Sequence, residues 1–229
     1  MDNAPHKQNG TARREILADI RRHLAESAPF DAVRQEHHAP TAATPPVSPQ
    51  LTLLVRFKRA LEAVGGHWII VKDEADAAVE LQVILKLKAA RRVAVTDAPI
   101  VGRVRGNVET DLVWLENADK ATLFACDVGV TGVQYGIAET GTLVLESHRE
   151  RHRLASLVPP VHIALLEAAN IKQTLGEVLA LLEKDLSRTV TFITGPSRTS
   201  DIELTLAIGV HGPAELYVIL IDESFEGQL

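Results

Sequence analysis

Across residues 51–64 the apolar positions recur at helical spacing, and the run stops at Gly65-Gly66, a pair suited to ending a helix. Residues 67–71, HWIIV, follow as a short strand. Helical spacing returns over residues 73–88, where Ala77, Leu81, Ile84, Leu85 and Leu87 form the expected inner face. Residues 92–96, RVAVT, make the next strand. This alternation of helix and strand predicts an α/β domain, a parallel sheet with helices on its faces. The middle of the chain is less regular. Residues 122–127 are expected as a strand and residues 128–136, VGVTGVQYG, as a glycine-rich loop. Residues 141–146 read as a strand whose consecutive Leu143, Val144 and Leu145 imply cover on both faces. Strands at 161–166, 190–194 and 215–221 (ELYVILI) and a helix at 175–186 complete the pattern, with no internal repeat.

Ahead of this domain, residues 11–24 carry an amphipathic stripe. Ile16, Leu17, Ile20 and Leu24 fall on one side among Arg13, Arg14, Asp19, Arg21 and Arg22, and Thr11 is a candidate N-cap. Residues 39–49, APTAATPPVSP, form a linker, because proline there continues neither helix nor ladder. The expected organisation is therefore a helix and Pro-rich linker over residues 1–45 and a main domain over residues 46–229.

Composition narrows the picture. The chain has 229 residues, 46% of them hydrophobic but only 4% aromatic, so the core rests on Leu, Val, Ile and Ala. That bias suits a parallel sheet under helices. A net charge of −6 argues against broad nucleic-acid binding. No apolar run approaches the roughly 18 residues of a membrane span, and residues 1–10 lack the apolar stretch of a signal peptide. A cytoplasmic protein is expected. Cys126 is the single cysteine; it makes no internal disulfide, supplies too few ligands for an iron–sulfur cluster, and is expected as a small buried residue.

Three segments offer chemistry. In Ala138-Glu139-Thr140-Gly141-Thr142, Gly141 admits a ligand close to the backbone, two hydroxyls flank it, and Glu139 stands at the same edge as a candidate base. A tight turn with Thr chosen for β propensity is the plainer alternative. In the segment 195–203, GPSRTSDIE, Ser200 and Glu203 form a capping box, so a short helix is expected from there to Gly209. Ser197, Arg198 and Thr199 at its start suit a small anion. Asp201 and Glu203 at the same helix end oppose one. His211, between Gly209-Val210 and Gly212-Pro213, either presents its imidazole to a site or satisfies a turn carbonyl. His148 and His152 stand four apart, but Glu150 is misplaced for the zinc-protease motif. No metal site or cofactor is expected, and neither G-x-G-x-x-G nor a Walker A loop occurs.

Taken in register, Ala138–Thr142, Leu157-Val158-Pro159-Pro160-Val161-His162-Ile163, Gly195-Pro196-Ser197 with Thr199 and Asp201-Ile202-Glu203, and Gly209-Val210-His211-Gly212-Pro213 resemble the LUD-domain family over about residues 50 to 222, in its lactate utilization C type. The resemblance implies a three-layer α/β sandwich with a mostly parallel sheet, similar to ribose-phosphate isomerase, glucosamine-phosphate deaminase and the CoA transferases. It also implies a part in oxidising L-lactate to pyruvate beside two iron–sulfur partner proteins, with no redox centre in this chain. It assigns no individual catalytic residue. Two functions stand open: a subunit of a lactate-oxidising complex, or a free-standing enzyme on a small phosphorylated, carboxylated or CoA-linked metabolite with Glu139 as base or nucleophile. Geometry predicts that Glu139, Thr140 and Thr142 share a pocket with Ser197, Arg198, Thr199 and His211, because parallel α/β sheets gather such loops along one edge.

Overall fold

The computed structural model describes residues 17–19, 21–22, 49–108, 111–116, 118–148, 153–185, 187–199, 207–209 and 211–225. The chain divides into two compact units, Met1–Pro45 and Pro46–Leu229. In the first, residues 17–19 and 21–22 are helical, and the Arg22 guanidinium donates to the Asp19 carboxylate. The rest of the helix expected over 11–24, and the linker as far as residue 48, lie outside the described residues.

In the second unit six strands form one sheet, in the order β1 (His67–Val71), β12 (Glu215–Ile221), β7 (Val161–Glu167), β4 (Val128–Gly132), β2 (Arg92–Val95) and β3 (Val113–Glu116). Every neighbouring pair is parallel. Parallel strands need cover on both faces, and alternate side chains supply it. Val93, Val95, Val130, Ile163, Leu165 and Ile219 pack against Leu81 and Leu85 of helix α2 (Glu74–Leu87) and Val101 and Val104 of α3 (Pro99–Arg105). On the other face Ala164, Leu166, Val218 and Leu220 meet Leu54, Phe57 and Leu61 of α1 (Pro49–Ala63). Each such fully buried Leu, Ile or Phe contributes about 1.5–3 kcal/mol. Helix α2 starts where the sequence places it, because the Asp73 carboxylate accepts from the amides of Ala75 and Asp76 at 3.0 and 2.9 Å.

A second sheet stands beside α1 on that face, in the order β8 (Ile171–Lys172), β5 (Tyr135–Ile137), β6 (Thr142–Glu146) and β9 (Val190–Ile193). Here β6 runs antiparallel to both neighbours. Leu143 and Leu145 face the core between the sheets, and Val144 faces Val178 and Leu182 of α5 (Leu175–Leu182), so the apolar run is covered twice. The strands expected near 141–146 and 190–194 thus exist but belong to this second layer. The fully buried run of β6 matches that of an interior parallel strand, which is why periodicity alone does not assign it to the second sheet.

Several expectations are corrected. Residues 122–127 are not a strand: helix α4 (Lys120–Phe124) opens on Asp119, whose carboxylate accepts from the Thr122 amide at 2.7 Å. A local cap outweighs the β propensity of Thr122 and Phe124. The supposed loop at 128–136 contains β4, in the interior of the large sheet. Leu87 is 70% exposed and takes no part in the inner face. Helix α5 ends at Leu182, short of residue 186. The helix expected after Ser200 does not reach Gly209, because β11 (Ala207–Ile208) pairs antiparallel with β10 (Arg198–Thr199); residues 200–206 lie outside the described residues. Helix α3 and strand β3 are additional to the elements that the sequence pattern predicts.

Glycine serves β4 for a packing reason. A Cβ on Gly129 would stand 1.8 Å from the Ala155 carbonyl oxygen, where the 3-10 turn Arg153–Ser156 lies across the strand. Gly129→Ala is therefore expected to lower stability by about 1–3 kcal/mol or more. Gly102, exposed on α3 with nothing within 4 Å of its missing Cβ, should give the opposite sign, with Gly102→Ala stabilising by about 0.5–1 kcal/mol. Chemical denaturation of the two variants checks both, and a Gly129→Ala protein as stable as the parent would contradict the packing.

Candidate functional site

The Gly-Thr turn and the Gly-Pro-Ser segment meet because β6 and β9 are antiparallel neighbours, so the start of one lies beside the end of the other. The hydroxyls of Thr140 and Thr142 lie 2.7 Å apart, as do those of Thr142 and Thr194. Both segments press on the last turn of α1. A Cβ on Gly141, whose φ is +66°, would stand 2.3 Å from the Leu61 nitrogen, and one on Gly195, with φ +82°, would stand 2.6 Å from the Val64 carbonyl oxygen. Glycine is required at both positions by conformation and by space.

Beyond Thr194 the chain enters a cavity of about 200 Å³. Its wall includes Thr194, Ser197, His211, Ser156, Leu157 and His162. The Ser197 amide donates to the Pro213 carbonyl at 2.8 Å and the Gly209 amide to the Ser197 carbonyl at 2.9 Å, which ties the two motif loops together. Just beyond, the Glu215 carboxylate accepts from Lys88 Nζ at 2.6 Å and from the Tyr217 hydroxyl at 2.9 Å. The lysine holds that carboxyl below the usual carboxylate range and anchors the start of β12.

Among the residues singled out from the sequence, Ser197 and His211 line this cavity, and Thr142 adjoins it through Thr194. Others face elsewhere. Arg198 Nη2 donates to the Val64 carbonyl oxygen at 2.6 Å, capping α1. Glu139 Oε1 accepts from the Leu175 amide at 2.8 Å at the positive end of α5, beside the N-cap Thr174. Thr199 lies in β10.

The sequence alone does not single out His162, which also lines this cavity. It is the second residue of β7 and 1% exposed. Its Nε2 lies 2.9 Å from Thr131 Oγ1 on β4, while its Nδ1 has no hydrogen-bond partner among the described residues. Burial pushes its pKa down to about 3, so the ring is neutral at physiological pH. The signal available in the sequence is a polar residue near the start of VHIALLE, a strand apolar from there to its final Glu167.

A larger cleft of about 540 Å³ opens at the opposite edge of the parallel sheet, beyond the carboxyl ends of β2, β4 and β7. Asp97, Gln134, Glu167, His148 and Arg103 are among its lining. Arg103 is shared between two carboxylates, with Nε 2.6 Å from Glu74 and Nη2 3.4 Å from Glu167. Open α/β sheets bind ligands at this edge. Its residues are scattered over more than one helix and several loops, with no motif to announce them. No group of three or more His, Cys, Asp and Glu side chains suited to a metal occurs among the described residues.

A model of the LUD domain matches residues 54–221. The chain is 44% identical over 98 residues to an uncharacterized protein of Neisseria meningitidis serogroup B, covering 42% of each. It is 31% identical over 160 residues to the lactate utilization protein C of Anoxybacillus flavithermus, covering 69% of this chain and 64% of that protein. With the lactate utilization protein C of Deinococcus radiodurans it shares 38% over 104 residues, covering 44% of this chain and 49% of that one. The matches thus span between about two fifths and two thirds of these relatives' lengths. The crystal structure of a DUF162 family protein from Deinococcus radiodurans superposes with a TM-score of 0.60 at 26% identity, over 77% of this chain and 99% of that one.

The buried imidazole sets a pH dependence. The unfolded chain protonates His162 below its ordinary value of 6.5, whereas the folded chain does so only near 3. Stability contributed by the neutral ring is complete above pH 6.5 and falls as the pH drops toward 3, by about 1.4 kcal/mol per unit. Going from pH 6.5 to pH 5 should therefore cost about 2 kcal/mol through this one residue. His162→Gln should remove that part of the slope. Denaturation midpoints with the same pH profile in parent and variant would refute the assignment.

Proposed function

The chain belongs to the LUD domain family, and we propose that it serves L-lactate utilization as a subunit without a redox centre, beside iron–sulfur proteins that take the electrons. The observation that carries this reading is its 31% identity to the Anoxybacillus flavithermus lactate utilization protein C over 69% of the chain, together with 34% identity over 122 residues to the Bacillus subtilis protein of that name. Oxidising L-lactate to pyruvate releases two electrons and two protons, and a cluster that accepts the electrons normally needs four thiolates. These 229 residues hold one cysteine. Cys126 is 3% exposed, its Sγ donates to the Thr122 carbonyl at 3.3 Å, and burial pushes its thiol pKa up, all of which suit a packing role.

The reading places the chain in the cytoplasm; among the described residues no helix is long and apolar enough to cross a membrane. A second reading, a free-standing enzyme on a small metabolite, is favoured by the cleft at the carboxyl edge of the sheet. In that reading the cleft residues are better placed than Glu139, whose carboxylate is engaged by α5.

Deleting the gene should abolish growth on L-lactate and spare growth on pyruvate, and the purified chain should be colourless and fail to reduce dyes with lactate. Unimpaired growth on lactate would overturn the assignment to this process. Lactate oxidation by the isolated, metal-free chain would overturn the need for redox partners.

A further inference from the structure

We infer that the cavity between the amino ends of β7 and β12 is a binding site for a small 2-hydroxy or 2-oxo acid, with His162 Nδ1 as its buried hydrogen-bonding contact. The choice of ligand class rests on the lactate-utilization reading; the case for an occupant rests on the cavity. Buried polar atoms in native proteins are almost always paired, and leaving one unpaired costs about 1–3 kcal/mol. The sheet provides for half of this imidazole, Nε2 on Thr131, and leaves Nδ1 without a partner among the described residues. His162 is also among the residues that line a cavity whose wall carries Ser156, Thr194, Ser197 and His211. A few polar groups converging in a largely apolar hollow are the usual make-up of a small-molecule site.

Size and charge define the occupant. The cavity, about 200 Å³, is smaller than the roughly 300–1,000 Å³ of sites for drug-sized ligands, which excludes nucleotides and CoA esters as whole occupants. Its most buried lining includes His162 and Leu216, a neutral imidazole beside an apolar side chain, where a carboxylate would lie uncompensated. The carboxylate of the ligand therefore faces the mouth, at Ser197 and the exposed His211, and the oxygen on the neighbouring carbon faces His162. The Thr131 hydroxyl both donates and accepts, so His162 can hold either tautomer against it. With Nδ1 unprotonated it accepts from the alcohol of a hydroxy acid; with Nδ1 protonated it donates to the carbonyl of an oxo acid. One site thus takes both without any change in charge.

Ring-nitrogen NMR of the ¹⁵N-histidine-labelled full chain, titrated with L-lactate, pyruvate and propionate, tests this. Saturable shifts of the His162 Nδ1 resonance are expected with lactate and with pyruvate, of opposite tautomeric sense, and none with propionate, which lacks the 2-oxygen. Affinity should fall about tenfold or more in His162→Gln, which keeps an amide for Thr131 and offers nothing at Nδ1. It should also fall in Gly212→Ala, whose added Cβ would stand 3.2 Å from Ser197 Cβ and narrow the mouth. If His162→Gln does not fold, the parent titration and Gly212→Ala decide. An Nδ1 resonance unmoved by lactate and pyruvate, or shifted equally by propionate, overturns the site. Should that occur while gene deletion still abolishes growth on lactate, the site fails and the lactate-utilization reading stands.

Discussion

Strand β7 is hydrogen-bonded along both edges, to β4 and to β12, and is covered on both faces. Nothing in it has access to water until Glu167 at its end. Such a strand tolerates only apolar side chains or polar ones that find partners inside the protein. Ile163 and Leu165 look toward the helical layer, while Ala164 and Leu166 look toward α1 and the second sheet. The polar exception, His162, bonds across the ladder to Thr131, and this pair ties the two interior strands together through side chains as well as backbone. The same constraint keeps the imidazole neutral.

Close approach is the second organising feature. The turn Arg153–Ser156 lies directly on β4 because Gly129 presents no side chain. The last turn of α1 receives Gly141, Gly195 and the Arg198 guanidinium together. That helix end is where the two sheets are stitched. Residues that resemble a ligand-binding constellation in sequence, Gly141 and Arg198 above all, serve there to bring backbone segments within contact distance. Glu139 and Thr174 close the neighbouring helix start in the same manner.

The cleft lined by Arg103 and the cavity lined by His162 lie at opposite edges of the parallel sheet, and they differ in chemistry. The larger is open and acidic, with its arginine already shared by two carboxylates. The smaller is lined by the loops that precede β7 and β12 and that follow β9, and the imidazole of His162 in its lining is neutral. Motif residues gather at the second because β6 and β9 are antiparallel, which brings the turn before one beside the loop after the other.

The sequence by itself determined the class of the fold and much of its frame. The strands at His67–Val71 and Glu215–Ile221 stand where HWIIV and ELYVILI place them, and α2 begins on Asp73, because local periodicity and capping act over neighbouring residues. It also pointed to a buried Cys126, and to Ser197 and His211 as loop residues beside strands, which the structure brings to one cavity. Tertiary structure alone decided which sheet each strand joins, since β6 of the second sheet is buried throughout like β4 of the first. It turned VGVTG from a loop into an interior strand, because the need for Gly129 comes from Ala155, 26 residues away. It gave Arg198 and Glu139 to helix ends and buried His162, whose neutrality, and whose Nδ1 without a partner among the described residues, follow from the atoms packed around it and from nothing beside it in the chain.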